Sequence, residues 1–233
     1  MRLLRTGTPM NHKKVRRLMR KYGLFCPIRK ANPYRRLAKA LQTDAVAPNI
    51  VDRRFRTLGA RKVLLTDITY IRFHEAFVYL SVIKDAFTMQ VLSYELSQSL
   101  EIDFVLVTVQ NLMRDHQYDP DADVILHSDQ GCHYTSVAFR RLIKDARLRQ
   151  SMSRRGNCWD NAPQESFFGH MKDEISEYIP LWRTFEDVRL RIDDYMDYYN
   201  NERYQTALGG MSPNEYYHYC VTNELPAGLE KEC

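Results

Sequence analysis

The chain has 233 residues, 44% of them hydrophobic, with 34 Lys and Arg against 29 Asp and Glu for a net charge of +5. That length and balance fit one substantial core plus a small accessory element, and exclude fibrous and low-complexity chains. No stretch approaches the roughly 18 uninterrupted apolar residues of a membrane span, and the basic start is not followed by a signal peptide's apolar run, so a cytoplasmic protein away from membranes is expected.

The charge is unevenly placed. Residues 1 to 62 hold 18 Lys and Arg against only Asp44 and Asp52, a net +16, which leaves −11 for the rest. A basic block of that size suits a polyanion such as double-stranded DNA, because each Lys or Arg that reaches a phosphate releases condensed counterions. A merely solvated basic tail is the plainer alternative. Five scattered cysteines (Cys26, Cys132, Cys158, Cys220 and Cys233) never form a CxxC pair, which argues for reduced thiols over a disulfide framework or zinc knuckle.

In chain order, residues 11 to 22 place Val15, Leu18, Met19 and Tyr22 on one face of a helix, with Lys13, Lys14, Arg16, Arg17 and Arg20 around the rest. Asn11 is a suitable N-cap and Gly23 a stop. Residues 25 to 61 hold Pro27, Pro33, Pro48 and basic clusters, and read as a linker laid on a surface. Residues 62 to 73, 77 to 84 and 90 to 96 are β-branched and aromatic runs broken by short turns, which predicts three antiparallel strands. The period then changes: Ile102, Val105, Leu106, Val109, Leu112 and Met113 stripe a helix, a fourth strand starts at Val124, and Ala138, Phe139, Leu142, Ile143 and Ala146 stripe another helix.

A right-handed helical crossover from the third strand sets the fourth parallel beside the first. A fifth strand over 148 to 152, a helix over 161 to 175 and another over 185 to 199 complete a mixed α/β fold with a five-stranded sheet. Ser212, Pro213 and Glu215 form a capping box. The organisation expected is a basic arm over 1–61, a core with C-terminal helices over 62–217, and a tail over 218–233.

Three carboxylates interrupt this pattern. Asp67 lies in VLLTDITYI on the face of Val63, Leu65, Thr69 and Ile71, where an unpaired charge is costly unless paired or metal-bound. Asp129 follows the fourth strand directly, and ligand sites in α/β sheets favour the carboxyl ends of strands. Glu165 lies in the first turns of a helix opened by Asp160 or Asn161. Singly, an edge-strand charge, an Asp-x-Gly turn and a dipole-complementing Glu explain them. Together, two carboxylates on adjacent strands and a third on a covering helix suit two Mg²⁺ ions about 3.5–4 Å apart, an arrangement for in-line phosphoryl displacement.

The segments TDITYI, HSDQGCHYTS, SMSRRGNCWDNAPQESFFGHMKDE and YYNNERYQTALGGMSPNEYY resemble the integrase-core transposases of the insertion-sequence-three family. The 35 residues between Asp129 and Glu165 match that family's Asp-Asp-(35)-Glu spacing. The resemblance implies a ribonuclease-H-like fold, a second-frame transposase product, and Asp67, Asp129 and Glu165 as catalytic ligands of Mg²⁺ or Mn²⁺. It also implies DNA element ends and target as substrates, a first-frame helix-turn-helix partner, a homo-oligomer when DNA-bound, association with the bacterial nucleoid, and a partial helix-turn-helix in the arm. Leu64 or Leu65 stands where the family commonly has Trp, Gln130 replaces a usual Arg and His133 a usual Gln.

Lys172, two helical turns after Glu165, shares its face, where a solvated helix lysine or a phosphate contact both fit; the resemblance to integrases implies the DNA contact, and Arg154 and Arg155 in the loop before that helix suit a DNA backbone or a plain basic surface loop. Asp85 reads as a hairpin residue, and His12, His127 and His133 as non-ligands, because no partner has ligand spacing. The rival functions are a non-catalytic DNA-binding remnant or regulator, and a metal-dependent nuclease.

Overall fold

The computed structural model describes residues 10–24, 46–155 and 157–226. Cys26, Cys233 and much of the expected linker and tail lie outside the described residues, as do Gly156 and the side chains of His12 and Cys158. The chain divides into two compact units, Met1–Leu41 and Gln42–Cys233.

The described part of the first unit holds helix α1, His12–Lys21. Asn11 caps it, its side chain accepting from the Lys13 N–H at 2.9 Å, and Gly23 follows at φ +63°, a left-handed turn that glycine adopts without strain. Lys13, Lys14, Arg16, Arg17 and Arg20 are all exposed.

In the second unit the strands are β1 (Val63–Phe73), β2 (Ala76–Asp85), β3 (Val91–Ser97), β4 (Ile125–Ser128) and β5 (Arg149–Met152), in sheet order β3-β2-β1-β4-β5. The first three form the expected antiparallel meander, and β4 lies parallel to β1. The crossover is α2 (Asp103–Arg114), and α3 (Cys132–Thr135) and α4 (Val137–Asp145) connect β4 to β5. Then come α5 (Ala162–Ile175), a 3-10 stretch Ser176–Leu181, α6 (Phe185–Asn201) and α7 (Pro213–Thr222), which starts with the anticipated capping box.

Alternation divides the strands between two cores. Ile71, Val78, Leu80 and Val82 meet Phe167, Met171 and Ile175 of α5 and Val188, Ile192 and Tyr199 of α6. Leu64, Ile83 and Leu92 meet Val105 and Leu112 of α2 and Phe139 and Ile143 of α4 on the other face. Each fully buried aliphatic or aromatic side chain contributes about 1.5–3 kcal/mol, so burial on both faces holds the sheet rigid where the carboxylates emerge.

Residues 46 to 61 differ from a linker laid on a surface. Val51 is 1% exposed and joins Val63, Leu65, Ala86 and Ile125 in a third cluster, with Ile50 and Phe55 against it. The Ser151 hydroxyl accepts from the Ile50 and Val51 N–H groups, and the Met152 N–H donates to Pro48 O, so this segment covers the outer edge of β5.

Candidate active site

Asp67 is placed by the middle of β1 and Asp129 by the residue after β4, and the parallel pairing of Leu65 with His127 carries both to the same end of the sheet. Asp67 Oδ1 accepts from the Ile68 N–H at 2.8 Å and Oδ2 from the Asn161 amide at 2.8 Å. Asp129 Oδ1 accepts from the Gly131 N–H at 2.8 Å. A Cβ on Gly131 would stand 2.9 Å from that same oxygen, so any side chain here would push the Asp129 carboxylate aside.

The two carboxyls repel. Burial, then the charge of Asp129, push Asp67 well above the ordinary carboxylate range, with the Ile68 and Asn161 bonds opposing and Glu165 adding a smaller push. Asp129 is also raised, by loss of water around its carboxyl and against the Gly131 bond and His133. Its residue surface nonetheless stays open to solvent. Two oxygen-donor carboxylates in mutual repulsion fit a hard divalent cation, which would relieve the repulsion.

Glu165 is exposed in the first turn of α5, and its N–H donates to Asn161 O at 3.1 Å. Among the described residues no three His, Cys, Asp or Glu side chains are gathered as a ready metal cage. Glu165 thus stands beside the Asp67–Asp129 pair, within electrostatic reach of Asp67. Lys172 lies on the same side of α5, half-buried with its ammonium 4.7 Å from the Tyr70 ring centroid; burial lowers its pKa and the charge of Asp67 raises it.

Arg154 and Arg155 part ways. Both are exposed, but Arg154 is bound to Asp160 through Nε at 2.8 Å and Nη2 at 2.9 Å, and to Asp52 at 3.3 Å. Asp160 also accepts from the Arg154 N–H, Arg53 Nε and Asn49 Nδ2, five donors in all with those two of Arg154. These bonds, the Arg154 side chain first, hold its carboxyl far below the usual range. Its oxygens are therefore committed to a clasp joining residues 49 to 53, the loop and the start of α5.

His127 belongs to the same clasp: Nε2 donates to Asp160 O at 2.9 Å, and Nδ1 stands 2.9 Å from the Ser151 hydroxyl. Burial lowers its pKa and the Asp160 carbonyl opposes. His133 Nε2 donates to Leu100 O, and Gln130 Nε2 to Ser153 O at 3.0 Å, so the glutamine ties the loop after β4 to the end of β5. Asp85 is the hairpin residue expected, accepting from Thr88 and from the Arg61 N–H.

Sequence reasoning missed two neighbours of the pair. Asn161 reads as a helix cap, yet its side chain makes no cap bond and turns to Asp67, leaving Oδ1 buried without a partner. Tyr134 is 1% exposed, raised by burial and then by the charges of Asp67 and Asp129. Its place in HSDQGCHYTS, five residues after Asp129, was the signal that could have found it.

Residues 59–158 match the family described as Integrase core domain, residues 146–213 match a second family of the same description, and residues 1–32 match an HTH-like domain. The chain is 35% identical over 215 residues to an uncharacterized transposase-like protein of Haemophilus influenzae, covering 91% of this chain and 95% of that one. It is 34% identical over 214 residues to the putative transposase InsK for insertion sequence element IS150 of Escherichia coli K12, covering 92% and 74%. The chain belongs to the integrase-core transposases of insertion sequences.

Among solved structures, this transposase fold is similar to the simian T-cell lymphotropic virus intasome, with TM-score 0.62 and 16% identity over 89% of this chain and 68% of that chain. It is similar also to the HTLV-2 integrase catalytic core in complex with magnesium, with TM-score 0.55 and 15% identity over 70% and 100%. The sheet is the ribonuclease-H-like one that the sequence resemblance implies. No helix among the described residues is long and apolar enough to cross a membrane.

Proposed function

We propose that this transposase cleaves and joins DNA strands at the ends of an insertion sequence, with Asp67, Asp129 and Glu165 as its catalytic carboxylates. The observation that carries the reading is the pairing of Asp67 with Asp129, two carboxyls raised by burial and, at Asp67, by the charge of its neighbour, at the carboxyl end of parallel strands. Asp67 and Asp129 would hold one or two Mg²⁺ or Mn²⁺ ions, and Glu165, one helical turn beyond Asn161, would complete the set. Bound there, the ions supply Lewis-acid activation of the attacking oxygen and neutralise charge on the leaving one.

Gly131 and Ile68 orient one oxygen of each aspartate through their N–H groups, and Asn161 holds the second oxygen of Asp67. Lys172 is suited to hold a DNA phosphate on the same face of α5. Water, and then a DNA 3′-hydroxyl, attacks phosphorus in line; a new P–O bond forms as the bond to the leaving DNA oxygen breaks, with no covalent protein intermediate. The basic residues of α1, with Arg155, would hold DNA electrostatically, and a first-frame partner and self-association on DNA belong to the same reading.

Strand transfer by Glu165→Gln tests it. Gln keeps size and hydrogen bonding but not charge, so Mg²⁺-dependent cleavage and joining of the DNA flanking the gene should fall steeply while DNA binding persists. Near-normal transfer would remove Glu165 from the set. Cleavage without joining of preprocessed ends would favour a plain nuclease.

A further inference from the structure

A cavity of about 570 Å³ opens beside α5, lined among others by Arg54, Arg56, Lys84, Ser166 and His170. At 3.6 residues per turn, Pro163, Ser166 and His170 stand on the side of α5 turned away from Glu165 and Lys172. The cavity is thus separate from the carboxylate pair although it shares the helix. Among the described residues no Asp or Glu lines it, whereas Arg53, Arg54, Arg56, Lys84 and Arg203 all do.

The state of these cations matters more than their number. Arg53 and Arg203 are neutralised by Asp160 and Glu174. Arg56 donates through both Nη atoms to Ala207 O at 3.2 Å, and Arg54 donates to Val51 O and Ile50 O. Those partners are neutral carbonyls, so both guanidiniums are held in place with no carboxylate paired to them among the described residues. Lys84 is 3% exposed, its ammonium donating to Pro163 O at 2.9 Å and lying 5.0 Å from the Phe167 ring centroid. Burial pulls Lys84 down to about 7, against the charge of Asp85, a group that an incoming anion would recharge. Residues 42 to 233, the unit that holds this opening, carry 21 Lys and Arg against 29 Asp and Glu, a net −8, so a cluster of cations here stands out from an acidic body.

We propose that this pocket binds a backbone phosphate of DNA, held by Arg54, Arg56 and Lys84, as a second DNA-binding point on the side of α5 opposite the carboxylates. The inference rests on the reading of the chain as a DNA-processing enzyme. Two fixed guanidiniums matched to phosphate oxygens provide recognition without base specificity.

The test is fluorescence anisotropy of the full-length chain with a labelled mixed-sequence duplex across a salt series. Arg54→Ala/Arg56→Ala should bind more weakly, with the log-affinity against log-salt slope shallower by about 1 for each phosphate the protein no longer neutralises. Ser166→Glu keeps both arginines and places a negative charge in the pocket, so it should weaken binding as well; it decides the matter if the double variant fails to fold. Arg140→Ala/Arg141→Ala removes equal charge from the exposed face of α4 and should change the slope less. Unchanged slopes in the pocket variants beside a DNA-binding wild type would overturn the pocket alone, as would an equal fall for the α4 pair. A wild-type chain that binds no duplex would overturn the DNA reading and the pocket together.

Discussion

The side-chain amide of Asn161 donates to Asp67 Oδ2 at 2.8 Å although Asn161 stands at the N-cap of α5, where an asparagine ordinarily accepts from its own helix. Its main-chain oxygen accepts from the Glu165 N–H, so one residue fixes the second oxygen of Asp67 and the turn that carries Glu165. Serine caps a helix as well as asparagine but is too short to reach Asp67. Asn161→Ser should therefore leave stability within about 1 kcal/mol, the net worth of the one hydrogen bond lost. Strand transfer should fall while melting holds; transfer at the wild-type rate would leave Asn161 with a purely structural role.

Gly131→Ala separates geometry from folding at the other aspartate. Gly131 has φ −62°, which alanine adopts freely, but the added methyl meets Asp129 Oδ1 at 2.9 Å and must displace that carboxyl. Thermal melting should change little while activity falls by up to about 100-fold, the scale set by a misplacement near 1 Å. A large loss of melting temperature instead would mean that the backbone of the loop had moved.

The raised pKa of Asp67 makes stability depend on pH. Above the ordinary value of 3.8 the folded chain binds more protons at this site than the unfolded chain, so stability falls as pH rises through the raised pKa. In chelator, Asp67→Asn should melt higher than wild type at pH 7, with the difference vanishing near pH 4. Added Mg²⁺ should raise the wild-type melting temperature more than that of the variant. A variant that melts lower at pH 7 would contradict the repulsion.

Two truncations would separate the basic arm from the segment that packs on the core. A chain beginning at Gln42 lacks 13 Lys and Arg and should keep its cooperative melt while its DNA affinity shows a shallower salt slope. A chain beginning at Lys62 also loses Val51, whose burial alone contributes about 1.5–3 kcal/mol, together with the Asn49 and Arg53 bonds to Asp160, and should melt well below it. Equal melting of the two would show that residues 46 to 61 contribute no stability.

Periodicity makes the strands and long helices legible, and the handed crossover alone is enough to bring Asp67 towards Asp129. Short elements escape: Cys132–Thr135 and Ser176–Leu181 span too few turns to show a repeat. Residues 46 to 61 escape because prolines and arginines dominate them, while the anchoring comes from only Ile50, Val51 and Phe55. Asp160 and Asn161 both fit a helix start, and nothing local reveals that one is clasped by Arg53 and Arg154 and the other turned to a strand 94 positions away.

The clasp at Asp160 bears on what the interval between Asp129 and Glu165 measures. On one side of the loop the chain is fastened by the pairing of Ser128 with Met152 and by Gln130 on Ser153; on the other, Asp160 is fastened to Asn49 and Arg53. Arg154 is bonded directly to Asp160 across this loop and the Asn157 N–H donates to Arg154 O, so an extra residue inserted after Arg155 would have to open those bonds before it moved Glu165. The same insertion within β5 or the first turn of α5 would rotate or reverse the side chains that follow. The 35 residues between Asp129 and Glu165 are thus fastened at β5, at Ser153 and at Asp160, so the interval holds one carboxylate at a set distance from the other.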